Sequence, residues 1–304
     1  MEEQRRKLIL ILKRNGLLGN RLARAAHLLA FSKAHGHMLV DFSFYDYARY
    51  FPSTRVDFFC RYPSVETRWT SVLSRKVIYK GARTLVKLMN RARVLEERAH
   101  HLGVRRFSLA TKQRIELSDD RFAKALSEAD VLLLEGFLYQ DFENLKTYAE
   151  DVRRHFRPFP HVEHRVETLL RRARQGVDVL IGVHMRQGED YKTWECGRWH
   201  YPTEAYLQVM QRVQAAFPNR RIGFLVCSDQ PIDKDCLMRL PHSVESGSGD
   251  VVEDLYSLAG CDFLIGTHST FAMWSSFYGQ CPYYKIEDPA AAFGPDAFQR
   301  LLPQ

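Results

Sequence analysis

The sequence predicts an α/β protein made of two doubly wound, parallel-sheet domains with a cleft between them. Three observations predict this. At 304 residues the chain is too long for one ordinary core and suits two domains of roughly 100–200 residues each. Short apolar runs alternate with amphipathic segments along it, the rhythm of strands joined by crossover helices. The composition, 45% hydrophobic and 26% charged, is that of a folded globular chain and excludes a disordered or fibrous one.

Residues 7–13, Lys-Leu-Ile-Leu-Ile-Leu-Lys, form an apolar run flanked by charge, which reads as a strand buried on both faces. The run ends in the loop Asn15-Gly16-Leu17-Leu18-Gly19-Asn20. From Asn20 to about His35, Leu22, Ala25, Ala26, Leu29 and Ala30 recur at helical spacing, and Gly36 supplies a stop. Met38–Phe44 reads as the next strand, closing a β-α-β unit. A long basic helix is expected over about Ser74–Leu102, a buried strand over Val131–Leu134, and a helix over Glu143–His155 that ends near Pro158 and Pro160 at a hinge.

The rhythm then restarts. Strands are expected at Val177–Val183, Arg221–Cys227, Phe263–Gly266 and Tyr283–Ile286, and helices at Thr203–Phe217, Val251–Ala259 and Thr270–Tyr278. The boundary is placed within 158–176, giving domains 1–165 and 166–304, the first carrying a basic helical insertion at about 61–115.

Charge and cysteines narrow the function classes. The net charge is +8, yet residues 61–115 hold 14 Lys and Arg against 3 acids, so the rest of the chain is slightly acidic. Such a patch suits nucleic acid or an anionic membrane surface, and its sparse aromatics argue against a nucleic-acid platform. The six cysteines form no close pair or Cys-x-x-Cys, which indicates neither a disulfide framework nor a zinc site. The charged start and the short run Leu8–Leu12 match no export signal or membrane span, so the expected location is cytoplasmic, with peripheral contact at the inner face of the membrane through about 74–102.

In an open α/β sheet, ligands bind beyond the carboxyl ends of the strands. Four such places carry chemistry. After the strand ending at Val183 come His184, Met185, Arg186, Gln187, Gly188, Glu189, Asp190 and Tyr191. An Arg fork at a strand end suits bidentate contact with phosphate oxygens, and His184, two residues earlier, points the same way. The competing reading is a loop salt bridge from Arg186 to Glu189 or Asp190. Ser228 and Asp229 follow a second strand, where a carboxylate accepts paired hydrogen bonds from guanine or ribose, or merely forms a turn. At His268, Ser269, Thr270 and Phe271 a strand passes into a helix whose free N–H groups and hydroxyls favour an anion, or simply an N-cap. The fourth place, Asn15–Asn20, fits neither the dinucleotide fingerprint nor the P-loop. One phosphate-rich ligand accounts for all four.

These segments also resemble a known family. His184-x-Arg186-x-Gly188 followed by Glu189, Asp190 and Tyr191 resembles the HxRxGDY motif of the fucosyltransferase superfamily, especially the bacterial α-1,2-fucosyltransferase-like proteins. In the same order, Gly16–Arg21 resembles its N-terminal glycine loop, Leu225–Asp229 its strand ending in Ser-Asp, and Glu253–Asp262 with Ile265–Tyr278 its last two helical motifs. The resemblance spans about residues 7–286.

It implies a GT-B architecture of two Rossmann-like lobes and an inverting, metal-independent transfer, most simply of fucose from GDP-fucose to a glycan of surface polysaccharide or lipopolysaccharide. Arg186 would grip the donor's β-phosphate with His184 beside it. Asp229 with Ser228 would read guanine or ribose, while His268, Ser269, Thr270 and Phe271, with Asn15, Gly16, Gly19 and Asn20 of the first loop, would complete the donor site. Asp190, then Glu189, then Glu195 are the candidates for the base that takes the acceptor's proton. The chain departs from the family in Gln187, where many members have a second Arg, and in the extra residue of Gly188-Glu189-Asp190-Tyr191. The same scaffold using another nucleotide sugar is the nearest alternative, and a protein that binds nucleic acid or an anionic surface through 61–115 is the alternative from a different class. Asp233-Lys234-Asp235 is read as a helix cap rather than a metal motif, and His155, His161 and His164 as solvent-facing or lining the cleft.

Overall fold

A computed structural model describes residues 5–68, 70–91, 103–110, 113–232, 234–237, 240, 243–291 and 294–302. The chain divides into two compact units, 1–159 and 160–304.

The first unit opens with β1 (Leu8–Ile11), α1 (Leu18–Ala34) and β2 (Met38–Asp41). The strand expected through Phe44 stops at Asp41, because the Asp41 carboxylate accepts from the backbone N–H of Ser43 (3.0 Å) and turns Phe42–Phe44 into a 3-10 turn. There follow α2 (Pro52–Val56), β3 (Arg61–Tyr62), α3 (Val72–Arg91), β4 (Val104–Ser108), β5 (Arg114–Glu116), α4 (Asp120–Ser127), β6 (Val131–Glu135) and β7 (Leu138–Gln140). The helix expected over Glu143–His155 is two, α5 (Phe142–Thr147) and α6 (Ala149–His155), broken at Tyr148, whose backbone leaves the helical region. The main sheet runs β3-β2-β1-β6-β4, parallel except for β3. The basic stretch is therefore not a pure insertion: β3 and β4 are the two edge strands of this sheet. Residues 92–102 of the expected long helix lie outside the described residues.

In the second unit, α7 (Pro160–Ala173) precedes β8 (Val179–Met185), α8 (Glu189–Thr193), α9 (Thr203–Ala216), β9 (Ile222–Ser228), α10 (Lys234–Leu237), β10 (Ser243–Ser246), α11 (Val251–Ala259), β11 (Phe263–Gly266), α12 (Thr270–Gly279) and β12 (Tyr283–Lys285). The division at 159/160 falls before the expected 165/166, which lies inside α7. Pro160 is tolerated at a helix start, and the α7 residues Leu169 and Ala173 pack into the second unit's core.

All five strands of this sheet, β10-β9-β8-β11-β12, are parallel. Side chains alternate between faces along a strand. Ile181, Val183 and Met185 accordingly pack with Tyr206, Met210 and Val213 of α9, whereas Leu180 packs with Leu258 and Leu264 on the other face. Burial of β8 on both faces is what makes it a continuous apolar run. Its parity also decides where the next residues go: His184 shares the face of Leu180, two steps on from Gly182.

Candidate functional site

The candidate site lies where β8 ends in the second unit. His184 is still inside the strand, paired in register with Gly266 of β11 and Cys227 of β9. Its ring is buried and stacks on Phe271 of α12, with centroids 4.8 Å apart. Burial first, and the neighbouring Arg186 charge second, lower its pKa to about 3, so the imidazole is neutral at physiological pH. Its Nδ1 is buried without a hydrogen-bond partner. Orphaned buried nitrogens are uncommon and call for a ligand or water to complete them.

Arg186 is the second residue beyond His184 and its side chain is 13% exposed. Its backbone N–H donates to the Tyr206 hydroxyl (3.2 Å), which anchors the strand end to α9. Burial pushes that phenol up to about 12, so it stays protonated. The guanidinium lies over the Tyr191 ring (4.5 Å to the centroid) and forms ion pairs with Asp190 and Asp229. The salt bridge anticipated from Arg186 to Glu189 or Asp190 is thus present, to Asp190, and Glu189 pairs with Lys192 instead (2.6 Å).

Asp229 does more than form a turn. Its two oxygens accept the backbone N–H groups of Gln187 (2.7 Å) and Gly188 (3.0 Å) in addition to pairing with Arg186. This carboxylate therefore holds the 186–188 loop. Ser228 ends β9, with its hydroxyl accepting from Gln230 (3.1 Å).

The fourth strand end joins this cluster. Ser269 caps α12, its hydroxyl accepting the Phe271 N–H (3.2 Å), so the N-cap reading holds. The Tyr191 hydroxyl donates to the His268 carbonyl (2.7 Å), tying α8 to the start of α12, and Thr270 is the first residue of that helix. Thus His184, Arg186, Asp190, Asp229, His268, Ser269 and Phe271 are brought together in one unit, through contacts among β8, β9, α8 and α12.

Two tryptophans not singled out from the sequence complete it. Trp194 stacks on the His268 ring (5.6 Å), and Trp199 approaches the same ring (5.3 Å). Glu195 and Cys196 adopt left-handed backbone conformations, with φ of 49° and 59°, an uncommon run for residues with side chains. The Glu195 carboxylate accepts the Trp199 indole N–H (2.8 Å), which directs Trp199 inward. Only Glu195's proximity to the motif was legible beforehand; tryptophans at 194 and 199 carry no spacing signal.

Asn15, Gly16, Gly19 and Asn20 belong to the other unit. Gly16 has φ +65° and the Asn20 side chain packs where its Cβ would stand, so the loop is closed on itself. Gly19 and Asn20 lie in the first turn of α1, which starts two residues earlier than expected. The Asn15 side-chain oxygen is buried without a partner. Beneath the loop, Arg21 and Arg24 are almost wholly buried: Arg21 donates to the Ser43 carbonyl (2.7 Å), and Arg24 pairs with Asp41 (3.1 Å) and the Ser43 hydroxyl (2.7 Å).

Among the described residues no group of three His, Cys, Asp or Glu is placed to hold a metal ion. Asp233 of Asp233-Lys234-Asp235 lies outside them. His155 is half-buried: it packs edge-on against Tyr62 and Phe156, and burial lowers its pKa to about 4. His161 and His164 are exposed. No helix among the described residues is long and apolar enough to cross a membrane.

By sequence the chain matches no protein-family model and no curated protein. By structure it is similar to an Arabidopsis thaliana FUT1 variant in complex with GDP, with TM-score 0.60 and 13% identity over 98% of this chain and 75% of that chain. The fucosyltransferase NodZ from Bradyrhizobium gives TM-score 0.56 and 15% identity over 94% and 97%. POFUT1 in complex with GDP gives 0.51 and 12% over 93% and 99%. The fold is that of the GT-B fucosyltransferases. The expected architecture of two parallel-sheet domains is therefore the observed one, and the structural similarity extends to several fucosyltransferases rather than to the α-1,2 type in particular.

Proposed function

We propose that the chain is an inverting, metal-independent glycosyltransferase that moves fucose from GDP-fucose to a glycan acceptor, in the synthesis of surface polysaccharide or lipopolysaccharide. The single observation that carries this reading is Arg186 at the carboxyl end of β8. It is held there by Asp229 and Tyr191, beside the unpartnered Nδ1 of His184 and the first turn of α12. The likeness to folds crystallised with GDP or GDP-fucose supports the same donor.

A nucleoside diphosphate leaves readily when its growing negative charge meets preorganised donors. Arg186 supplies the cation and α12 supplies N–H groups at the positive end of its dipole. His184 is neutral and adds a ring nitrogen without adding charge. Asp229 acts through Arg186 and the 187–188 backbone rather than on the base. In this arrangement an incoming phosphate displaces Asp190, the more exposed of the two carboxylates on Arg186, and frees it to take the acceptor hydroxyl's proton.

One observation favours a second reading, the same chemistry with another nucleotide sugar. Gln187, standing where many relatives carry a second Arg, donates to the Tyr201 carbonyl (3.1 Å) and Thr203 hydroxyl (3.3 Å), so it serves the loop rather than an anion. Isothermal titration with GDP, GDP-fucose, UDP and ADP, on the native chain and on Arg186→Ala, tests both readings. Selective binding of GDP-fucose that Arg186→Ala abolishes is expected. Indifference to every nucleotide would remove the enzymatic reading.

A further inference from the structure

Helix α3 spans 20 residues, about 30 Å, and its side chains sort into three parallel strips. Arg75, Tyr79, Ala82, Val86 and Met89, spaced by four and three residues, form the docked strip. Arg75 donates to the carbonyls of Arg55 (2.6 Å) and Asp57 (3.1 Å), and Tyr79 packs on Tyr45. Ala82, Val86 and Met89 pack against Leu12 and Leu133 at the sheet. That strip fixes which way the rest of the helix faces.

The second strip is apolar and open. Leu73 is 71% exposed, Val77 63%, Leu85 59% and Leu88 56%, with Ile78 beside them. Leu73, Val77 and Leu88 follow one helical row, which Gly81 and Thr84 continue between them, and Ile78 and Leu85 lie alongside it. The third strip is basic: Lys76, Lys80, Arg83, Lys87 and Arg91 repeat at the same spacing on the adjoining side. No acidic residue occurs anywhere in Val72–Arg91.

We propose that α3 is a peripheral membrane anchor that lies along an anionic lipid surface, its leucine and valine row among the acyl chains and its lysine and arginine row at the headgroups. A soluble surface rarely leaves five large apolar side chains of one helix in water. Lipid is the one surface that offers both an apolar interior and a negative boundary. A nucleic acid would neutralise the basic row and leave Leu73, Val77, Leu85 and Leu88 wet. A second copy of the chain would cover the apolar row only by bringing two acid-free helices together, and like charges oppose that contact. The contact is parallel to the surface and needs no spanning segment. It would bring the proposed transferase to an acceptor carried on lipid, yet it does not depend on that activity.

Co-sedimentation of the full-length protein with vesicles tests this. We expect binding to phosphatidylcholine vesicles containing phosphatidylserine and little to pure phosphatidylcholine. The pair Lys80→Glu and Lys87→Glu should weaken binding by about tenfold or more. The pair Leu73→Ser and Leu88→Ser should make the residual binding fully reversible by salt. All four side chains are exposed, so circular dichroism and thermal unfolding should match the native chain, and nucleotide titration should be unaffected. Equal binding by the charge-reversed protein overturns the proposal. So does binding that ignores Leu73 and Leu88, since that is electrostatic adsorption alone. Tighter binding to a single-stranded RNA oligonucleotide than to the anionic vesicles, or concentration-dependent dimers lost in Leu73→Ser/Leu88→Ser, overturns it as well.

Discussion

The carboxylate of Asp229 pairs with the guanidinium of Arg186 while accepting the backbone N–H groups of Gln187 (2.7 Å) and Gly188 (3.0 Å). One side chain from the end of β9 therefore fixes both the cation at the end of β8 and the loop that follows it. Removing it leaves Arg186 with the Asp190 carboxylate and the Tyr191 ring. Asp229→Ala should cost about 1–3 kcal/mol of stability, the usual result of stranding such donors, and should weaken nucleotide binding. Denaturant unfolding and titration with GDP measure the two effects separately.

On the proposed function, Arg186→Ala is expected to lower transfer by about 10²–10³, the usual effect of losing one preorganised donor. Arg186→Lys should recover little, because an ammonium cannot present the planar fork. Steady-state rates with GDP-fucose decide this, and a variant retaining most of the native kcat would sink the assignment.

Gly188 has a negative φ of −60° in an extended backbone, so a methyl group there strains no backbone. It does meet Asp229 Oδ2 at 2.6 Å, Arg186 Nη1 at 2.7 Å and Asp190 Oδ1 at 2.8 Å. Gly188→Ala should therefore spread the ion cluster and weaken GDP binding about tenfold with little change in Tm. Gly182→Ala is the contrast. Its methyl meets Leu264 at 2.5 Å and Leu258 at 2.9 Å in the packed core, and overpacking there should cost about 1–3 kcal/mol without altering the site's chemistry.

Acid sensitivity follows from His184. Its folded pKa of about 3 lies below the ordinary 6.5, so between those values the unfolded chain binds the proton and the folded one does not. The stability it lends to the neutral fold is complete above pH 6.5 and is lost as pH falls toward 3. His184→Gln should reduce the slope of unfolding free energy in that window by up to about 1.4 kcal/mol per pH unit. His37 and His155, each lowered to about 4 chiefly by burial, would retain their own share. Urea titrations at stepped pH measure the slope.

In the first unit, Arg24 and Asp41 form a buried pair, both bond to Ser43, and Arg24 also donates to the carbonyls of Lys13 and Gly136 (both 3.4 Å). Asp41→Ala should cost about 3–5 kcal/mol by leaving the guanidinium unpaired. Asp41→Leu together with Arg24→Met should cost less than Asp41→Ala. Thermal unfolding of the three variants distinguishes an uncompensated charge from simple loss of packing.

Much of the strand order's raw material was legible in the chain. The runs at 8–11, 131–135, 179–185, 222–228 and 263–266 are apolar on both faces because parallel strands are covered on both sides, and that burial leaves a readable pattern. Three of the four edge strands of the two five-stranded sheets escaped notice: Arg61–Tyr62, Val104–Ser108 and Ser243–Ser246 are short, polar and half exposed, so no hydrophobic period marks them. The helix break at Tyr148 left no proline or glycine to betray it.

The residue types of the site were likewise evident, since a histidine, an arginine and a serine-capped helix stood at strand ends where ligands gather. Which groups they touch was not. Asp229 and Arg186 are 43 positions apart in sequence, Tyr191 and His268 are 77 apart, and Tyr206 approaches from another helix. Local pattern determined the elements, the order of the strands' ends and the chemical vocabulary of this protein. Only the closing of the second unit's five parallel strands into one sheet decided that Asp229 holds the 186–188 loop and that His184 is neutral, and only the packing of the first unit left one face of α3 open, because burial and long-range charge pairing exist only once distant segments meet.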